Sequence, residues 1–167
     1  MATEKYRLPL LDVENVLPIL NKISLFGGLD DAQLYTVFRM LETEHYRKGE
    51  FIFRQGEAPD HIRIVRSGRV RIVEEVEGTP MELVEFGEGQ CFGEVSVIAI
   101  HPHTASALAL EDCDLLVIPR EKLFQLHKTD PELFGMLMLN IAREACRRLK
   151  KTENTMLHYV LEKKPGG

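Results

Sequence analysis

Residues Phe92 to Ala109 read FGEVSVIAIHPHTASALA, and the rest of the chain is best understood outward from this stretch. It opens on Phe92-Gly93-Glu94. A glycine lets the backbone come close to a ligand, and the carboxylate beside it accepts hydrogen bonds from hydroxyl groups. A run of small and apolar residues then leads to the segment 102–106, which reads PHTAS. The stretch therefore predicts a ligand-binding loop.

This stretch resembles the phosphate-binding cassette of the cyclic nucleotide-binding domain family, which includes catabolite activator proteins and the regulatory subunits of protein kinase A. The family pattern runs from Phe-Gly-Glu to Pro-Arg-x-Ala-Ser/Thr. Its Glu holds the ribose 2′-hydroxyl, and its Arg holds the cyclic phosphate together with backbone N–H groups. The resemblance implies a pocket for cAMP or cGMP, with no other cofactor and no metal. The implied ligand-binding residues are Phe92, Gly93, Glu94, Val95, His103, Thr104 and Ala105, with Thr152 reaching in from a C-terminal helix.

His103 stands where the family has its arginine. An arginine carries a permanent charge and meets a phosphate through two parallel hydrogen bonds, whereas a histidine loses most of its charge above about pH 6.5. The exchange should weaken phosphate binding by roughly ten- to a hundredfold. A loop histidine in a degenerate pocket is the alternative interpretation. A metal site of His101, His103 and Glu94 is a third, which no other motif supports.

Composition limits the function classes. The formal net charge of −5 argues against a whole-chain nucleic-acid surface, and no apolar run approaches the roughly 18 residues of a membrane span. The N-terminus lacks the apolar block of a signal peptide, so the sequence predicts a cytoplasmic protein. Three cysteines without a C-x-x-C pair predict reduced thiols that lie mostly in the core: Cys91, Cys113 and Cys146.

Hydrophobic periodicity divides the chain into three zones. Residues 1–43 are predicted to form helices broken by prolines, with Asp30 and Gln33 spaced as a capping box. Residues 44–119 alternate with period two between Gly- and Pro-rich turns, which predicts short antiparallel strands. The predicted strands lie at 51–53, 62–65, 70–73, 81–84 and 114–118. Such a pattern is typical of a sandwich or barrel, and it resembles the antiparallel β-roll of the family.

Residues 120–167 are predicted to form a hinge helix and one long C-terminal helix that begins at Pro131 after the N-cap Asp130. Its residues at heptad spacing are Met138, Ala142, Ala145, Leu149, Thr152, Met156 and Tyr159, which we call the seam. The seam predicts a homodimer. Thr152 has two interpretations, as a polar seam position or as a contact to the base. The basic tract from Arg143 to Lys151 has two interpretations, and the solvated face of a helix is favoured over a contact to an acidic partner.

The sequence therefore predicts a cyclic nucleotide-binding regulatory module that signals to an unknown downstream protein. Family members that are transcription factors continue into a winged helix, whereas this sequence ends at Gly167, so no DNA-reading element is expected. A β-roll interaction or dimerisation module with an altered or degenerate pocket is the alternative. No activated nucleophile, paired carboxylates or P-loop favours an enzyme.

Overall fold

The computed structural model describes residues 8–9 and 13–162. Its N-terminal elements are strand β1 (Leu8–Pro9), helix α1 (Val13–Leu20), a 3₁₀ turn (Ser24–Phe26) and helix α2 (Asp31–Met40). The predicted capping box is confirmed: the Gln33 amide donates to Asp30 Oδ1 at 2.8 Å, and the Asp30 amide donates to Gln33 Oε1 at 3.1 Å. Pro18 lies within α1. Strand β1 was not predicted, and it pairs with the first strand of the roll.

Two antiparallel sheets form the centre of the molecule, which confirms the predicted β-roll. Their remaining strands are β2 (Glu42–Tyr46), β3 (Phe51–Phe53), β4 (His61–Ser67), β5 (Val70–Val76), β6 (Thr79–Phe86), β7 (Cys91–Phe92), β8 (Ser106–Ala109) and β9 (Cys113–Pro119). Within the described residues, one sheet has the order β1-β2-β9-β4-β7 and the other β3-β8-β5-β6. Apolar side chains between and beneath the sheets form the core.

The stretch between β7 and β8 is partly helical, which the strand pattern did not predict. Helix α3 spans Glu94–Ala99 and begins after Gly93, whose φ of +82° is accessible to glycine and costly for other residues. A Cβ at Gly93 would lie 3.3 Å from the His61 carbonyl oxygen and 3.8 Å from His103 Cε1. Gly93 thus brings the two ends of the cassette close together.

Helices α4 (Arg120–Thr129) and α5 (Pro131–Glu162) complete the fold. Asp130 caps α5, as predicted, since its Oδ1 accepts from the Leu133 amide at 3.0 Å. The first part of α5 is anchored, because Asn140 Nδ2 donates to the carbonyl oxygens of Leu25 and Gly27 at 3.0 and 2.9 Å. Every residue from Leu149 to Glu162 is exposed. The helix therefore continues well past the core that holds it.

Candidate functional site

A cavity of about 170 Å³ lies between the roll, α3 and α5. Its lining combines strand residues, the cassette and one side chain of α5: Phe53, Ile72, Val84, Phe86, Phe92, Gly93, Glu94, Val95, Ser96, His103, Thr104, Ala105 and Arg148. Seven of the eight residues predicted to bind a ligand are therefore brought together, although they are spread over 14 positions of the chain. The eighth, Thr152, is not in the lining.

Glu94 is the polar centre of this cavity. Its side chain is fully buried at the start of α3, and Oε1 accepts a hydrogen bond from an Arg148 guanidinium nitrogen. The second oxygen, Oε2, is buried without a hydrogen-bond partner. A buried carboxylate oxygen that lacks a donor is costly, so a donor supplied by a ligand would be bound favourably there.

Arg148 is the charged residue of the lining that the sequence analysis missed; the other lining residues that it did not name are Phe53, Ile72, Val84, Phe86 and Ser96. Interpreting the basic tract as solvated was wrong for this residue, because its side chain is only 31% exposed and lies against the cavity. Its guanidinium carbon also lies 5.5 Å from the centre of the Phe86 ring, a cation–π contact. The available signal was its position one helical turn before Thr152, the residue predicted to reach the ligand from the same helix.

His103 is buried, at 3% exposure, with its ring stacked on Phe53 at a centroid distance of 3.7 Å and an angle of 9°. Its backbone is fixed on both sides: its amide donates to the Glu57 carbonyl at 2.9 Å, and its carbonyl accepts from the Gly56 amide at 2.8 Å. Nε2 is buried without a partner. Burial, and then the nearby charge of Arg63, lower the pKa of His103 below its ordinary value. The imidazole is therefore neutral at pH 7.

A second charged cluster, outside the cavity lining, surrounds Arg63. This arginine is 2% exposed and pairs with Glu44 at 3.1 Å and with Asp60 at 3.5 Å. Tyr46 donates to the same Glu44 carboxylate at 2.8 Å, and burial together with that carboxylate raises the pKa of Tyr46. The positive charge of Arg63 is thus already compensated by two carboxylates.

The other predicted residues differ in how they meet the cavity. Ala105 is buried, whereas Val95 and Thr104 are exposed at its edge. The hydroxyl of Thr152 donates to the Arg148 carbonyl at 3.1 Å, one turn before it on α5. Thr152 is exposed in this arrangement, so its contact with a ligand stays a prediction.

Metal and thiol chemistry receive no support from the geometry. Among the described residues, no group of three His, Cys, Asp or Glu side chains is arranged to hold a metal ion, and His101 Nδ1 lies 2.7 Å from the Pro102 carbonyl oxygen. Burial raises the pKa of the Cys91 thiol to about 12, so it is protonated and a weak nucleophile at neutral pH. Cys113 is also buried, Cys146 is exposed, and all three are free thiols. Within the described part of the chain, no helix is both long and apolar enough to span a bilayer.

Comparison with known proteins agrees with this geometry. The family model of the cyclic nucleotide-binding domain matches residues 43–130. A CRP-like cAMP-activated global transcriptional regulator of Mycobacterium tuberculosis is 26% identical over 149 residues, which is 89% of this chain and 65% of that protein. The human cGMP-dependent protein kinase 2 is 33% identical over 150 residues, 86% of this chain and 19% of the kinase.

A crystal structure of a cyclic nucleotide-binding domain from Methylobacillus flagellatus has the same fold, with a TM-score of 0.77 at 22% identity, over 92% of this chain and 85% of that one. Because the family model matches more than half of the chain, the chain belongs to the cyclic nucleotide-binding domain family. It spans about two thirds of the length of the mycobacterial regulator and about a fifth of the kinase.

Proposed function

We propose that this chain is a regulatory module that binds a cyclic nucleotide, or a ligand sharing its ribose, in the cavity beside Glu94. Binding there changes the position of α5, and a partner reads the change. The proposal is supported by family membership and by one observation above all: the buried Glu94 carboxylate has one oxygen on Arg148 of α5 and the other without a donor. The same carboxylate can thus contact a ligand hydroxyl and the helix together.

The ion pair offers a route from ligand to helix. A sugar hydroxyl that donates to Glu94 changes how strongly the carboxylate attracts Arg148, and Arg148 directly precedes the exposed part of α5, which begins at Leu149. A ligand shifts a conformational equilibrium only by its differential contacts with the two states. Glu94 and Arg148 are where such differential contacts would be made.

We also propose that α5 pairs with its counterpart in a second copy. Part of the seam is apolar and exposed, with Leu149 at 61%, Met156 at 63% and Tyr159 at 58%. Val160 and Leu161 add further exposed apolar surface at 56% and 60%. Exposed apolar side chains repeating at heptad spacing on one helix favour burial against a second such helix.

A dimerisation module with a degenerate pocket is the second candidate function. The observation that favours it is His103: a buried, neutral imidazole occupies the position where the family places a charged arginine. The ion pair between Glu94 and Arg148 would then be a purely structural link between the roll and α5.

Calorimetric titration with cAMP and cGMP distinguishes the two candidates. We expect weak but saturable binding, and about tenfold weaker binding to Glu94→Gln, which keeps the shape but loses a charge-assisted acceptor. Glu153→Gln is the matched control, since Glu153 is exposed on α5 outside the cavity lining. Equal affinity of Glu94→Gln and the unmodified chain would exclude the cavity as the binding site. No binding of any ribose-bearing ligand would favour the degenerate module.

A further inference from the structure

The charge balance of the cavity limits the class of ligand that it accepts. Glu94 and Arg148 are the charged side chains in the described lining, and they form an ion pair with each other. His103 adds no charge at neutral pH. The described lining therefore has no uncompensated cation, and an anionic ligand would either stay unpaired or take Arg148 from a carboxylate that is fully buried.

The groups around His103 do not supply the missing charge. Arg63 contributes a positive field, but Glu44 and Asp60 pair with it, and Glu57 is another acidic neighbour. His101 is a further titratable neighbour. Phe53 lies against both His103 and Arg63, with the Arg63 guanidinium carbon 5.5 Å from the ring centre. A phosphate at His103 would therefore meet an aromatic wall and balanced charges.

Two buried polar atoms of the lining lack partners: Glu94 Oε2 and His103 Nε2. The carboxylate oxygen requires a donor. The imidazole nitrogen requires a donor or an acceptor according to its tautomer. A hydroxyl group can serve as either, whereas a phosphodiester oxygen can only accept a hydrogen bond. A ligand with several hydroxyls can thus satisfy both atoms without bringing a charge. The 2′,3′-diol of a nucleoside offers one hydroxyl more than the ribose of a 3′,5′-cyclic nucleotide.

The remaining walls suit a flat, apolar ring. Phe53, Phe86 and Phe92 form an aromatic series with centroid distances of 6.0 and 5.7 Å between neighbours, and Ile72 and Val84 extend it. Aromatic and aliphatic side chains of this kind commonly line pockets in which a few polar groups fix the orientation of the ligand. A nucleobase attached to a polar sugar combines both kinds of surface.

We propose that the pocket is built for an uncharged nucleoside, with its sugar hydroxyls on Glu94 and His103, in preference to a phosphate-bearing nucleotide. The inference rests on the proposed function, which places a ribose beside Glu94. It adds that the preference for a nucleoside over a nucleotide depends on the charge of the side chain at position 103.

The test is calorimetry at pH 8 with adenosine, guanosine, 2′,3′-dideoxyadenosine, cAMP and cGMP. We expect at least one of the two ribonucleosides to bind about tenfold or more tighter than its own cyclic monophosphate, and dideoxyadenosine to bind about tenfold more weakly than adenosine. His103→Arg should reverse the preference in favour of the cyclic nucleotide. His101→Arg is the matched control, because it adds the same charge two positions away and outside the lining; the preference should be unchanged.

The outcomes separate the inference from the proposed function. If both cyclic nucleotides bind the unmodified chain as tightly as their nucleosides, or tighter, the inference is wrong while the proposed function stands. If none of the ribose-bearing compounds binds, both are wrong. The comparison within the unmodified chain, including dideoxyadenosine, does not depend on either variant folding.

Discussion

Replacing Arg148 with methionine should destabilise the fold by leaving the Glu94 carboxylate buried without a counter-charge. Removing one partner of a fully buried ion pair costs about 3–5 kcal/mol. Since the Arg148 side chain is 31% exposed, solvent screens part of this pair, and we expect about 2–3 kcal/mol. For a chain of this size, that corresponds to a fall in Tm of roughly 4–12 °C.

Urea denaturation of four proteins measures this coupling: the unmodified chain, Arg148→Met, Glu94→Gln and the double variant. We expect the double variant to recover most of the stability lost in Arg148→Met, because the glutamine amide is uncharged and needs no buried counter-charge. Arg147→Met is the matched control. Arg147 is 60% exposed and pairs with Glu144 on the same face of α5, so its loss should change the free energy of unfolding by less than about 0.5 kcal/mol.

Two outcomes would refute this reasoning. One is a decrease of less than about 0.5 kcal/mol in the free energy of unfolding of Arg148→Met, which would mean that water or another group stabilises the charge of Glu94. The other is additivity of the two single substitutions in the double variant, which would mean that the side chains do not interact.

Three further predictions concern the helix, the histidine and the glycine. Leu149→Glu combined with Met156→Glu should convert the proposed dimer into a monomer in light scattering; a monomeric unmodified chain at high concentration would contradict the dimer. Cyclic nucleotide affinity should be flat from pH 7 to 8, because the lowered pKa of His103 keeps the ring neutral there, and it should strengthen only below about pH 6.5, where the ring gains a proton beside the phosphate. His103→Arg should tighten binding about ten- to a hundredfold at pH 8. Equal affinities for the two proteins at pH 8 would mean that residue 103 does not contact the phosphate. Gly93→Ala should cost more than about 1 kcal/mol in urea denaturation, because φ is +82° and the new Cβ would lie 3.3 Å from a carbonyl oxygen.

The glycine prediction has a control of opposite sign. Gly135 lies within α5, and a Cβ there meets no atom within 4 Å. Gly135→Ala should therefore stabilise the chain by about 0.5–1 kcal/mol, since alanine loses less backbone entropy in a helix. Stabilisation by both substitutions would contradict the positive-φ argument.

Local chemistry made much of the fold predictable. The capping box at Asp30, the N-cap at Asp130 and the five predicted strands are each determined by residues a few positions apart, so the sequence shows them directly, whereas β1, β2, β7 and β8 were not predicted. The long α5 was predicted for the same reason. Helix α3 was missed because its six residues are too few to display a helical period.

The site was less accessible, because its decisive contacts are distant in sequence. Glu94 and Arg148 are 54 positions apart, and the basic tract that contains Arg148 has the composition of a solvated helix face. The expectation that His103 loses its charge above about pH 6.5 takes the ordinary pKa of an exposed histidine. In the structure the ring is stacked on Phe53 and buried, and its burial and the nearby charge of Arg63 lower its pKa. Phe53 and Arg63 both lie outside the cassette, so the cassette sequence alone does not predict this shift.

The most direct test of the central claim is a crystal structure of the chain grown with adenosine and, separately, with cAMP. We predict ligand density in the cavity with sugar hydroxyls within hydrogen-bonding distance of Glu94 Oε2. The base should contact the apolar walls formed by Phe86 and Val84. An empty cavity in both crystals, with Glu94 still bound only to Arg148, would contradict the account.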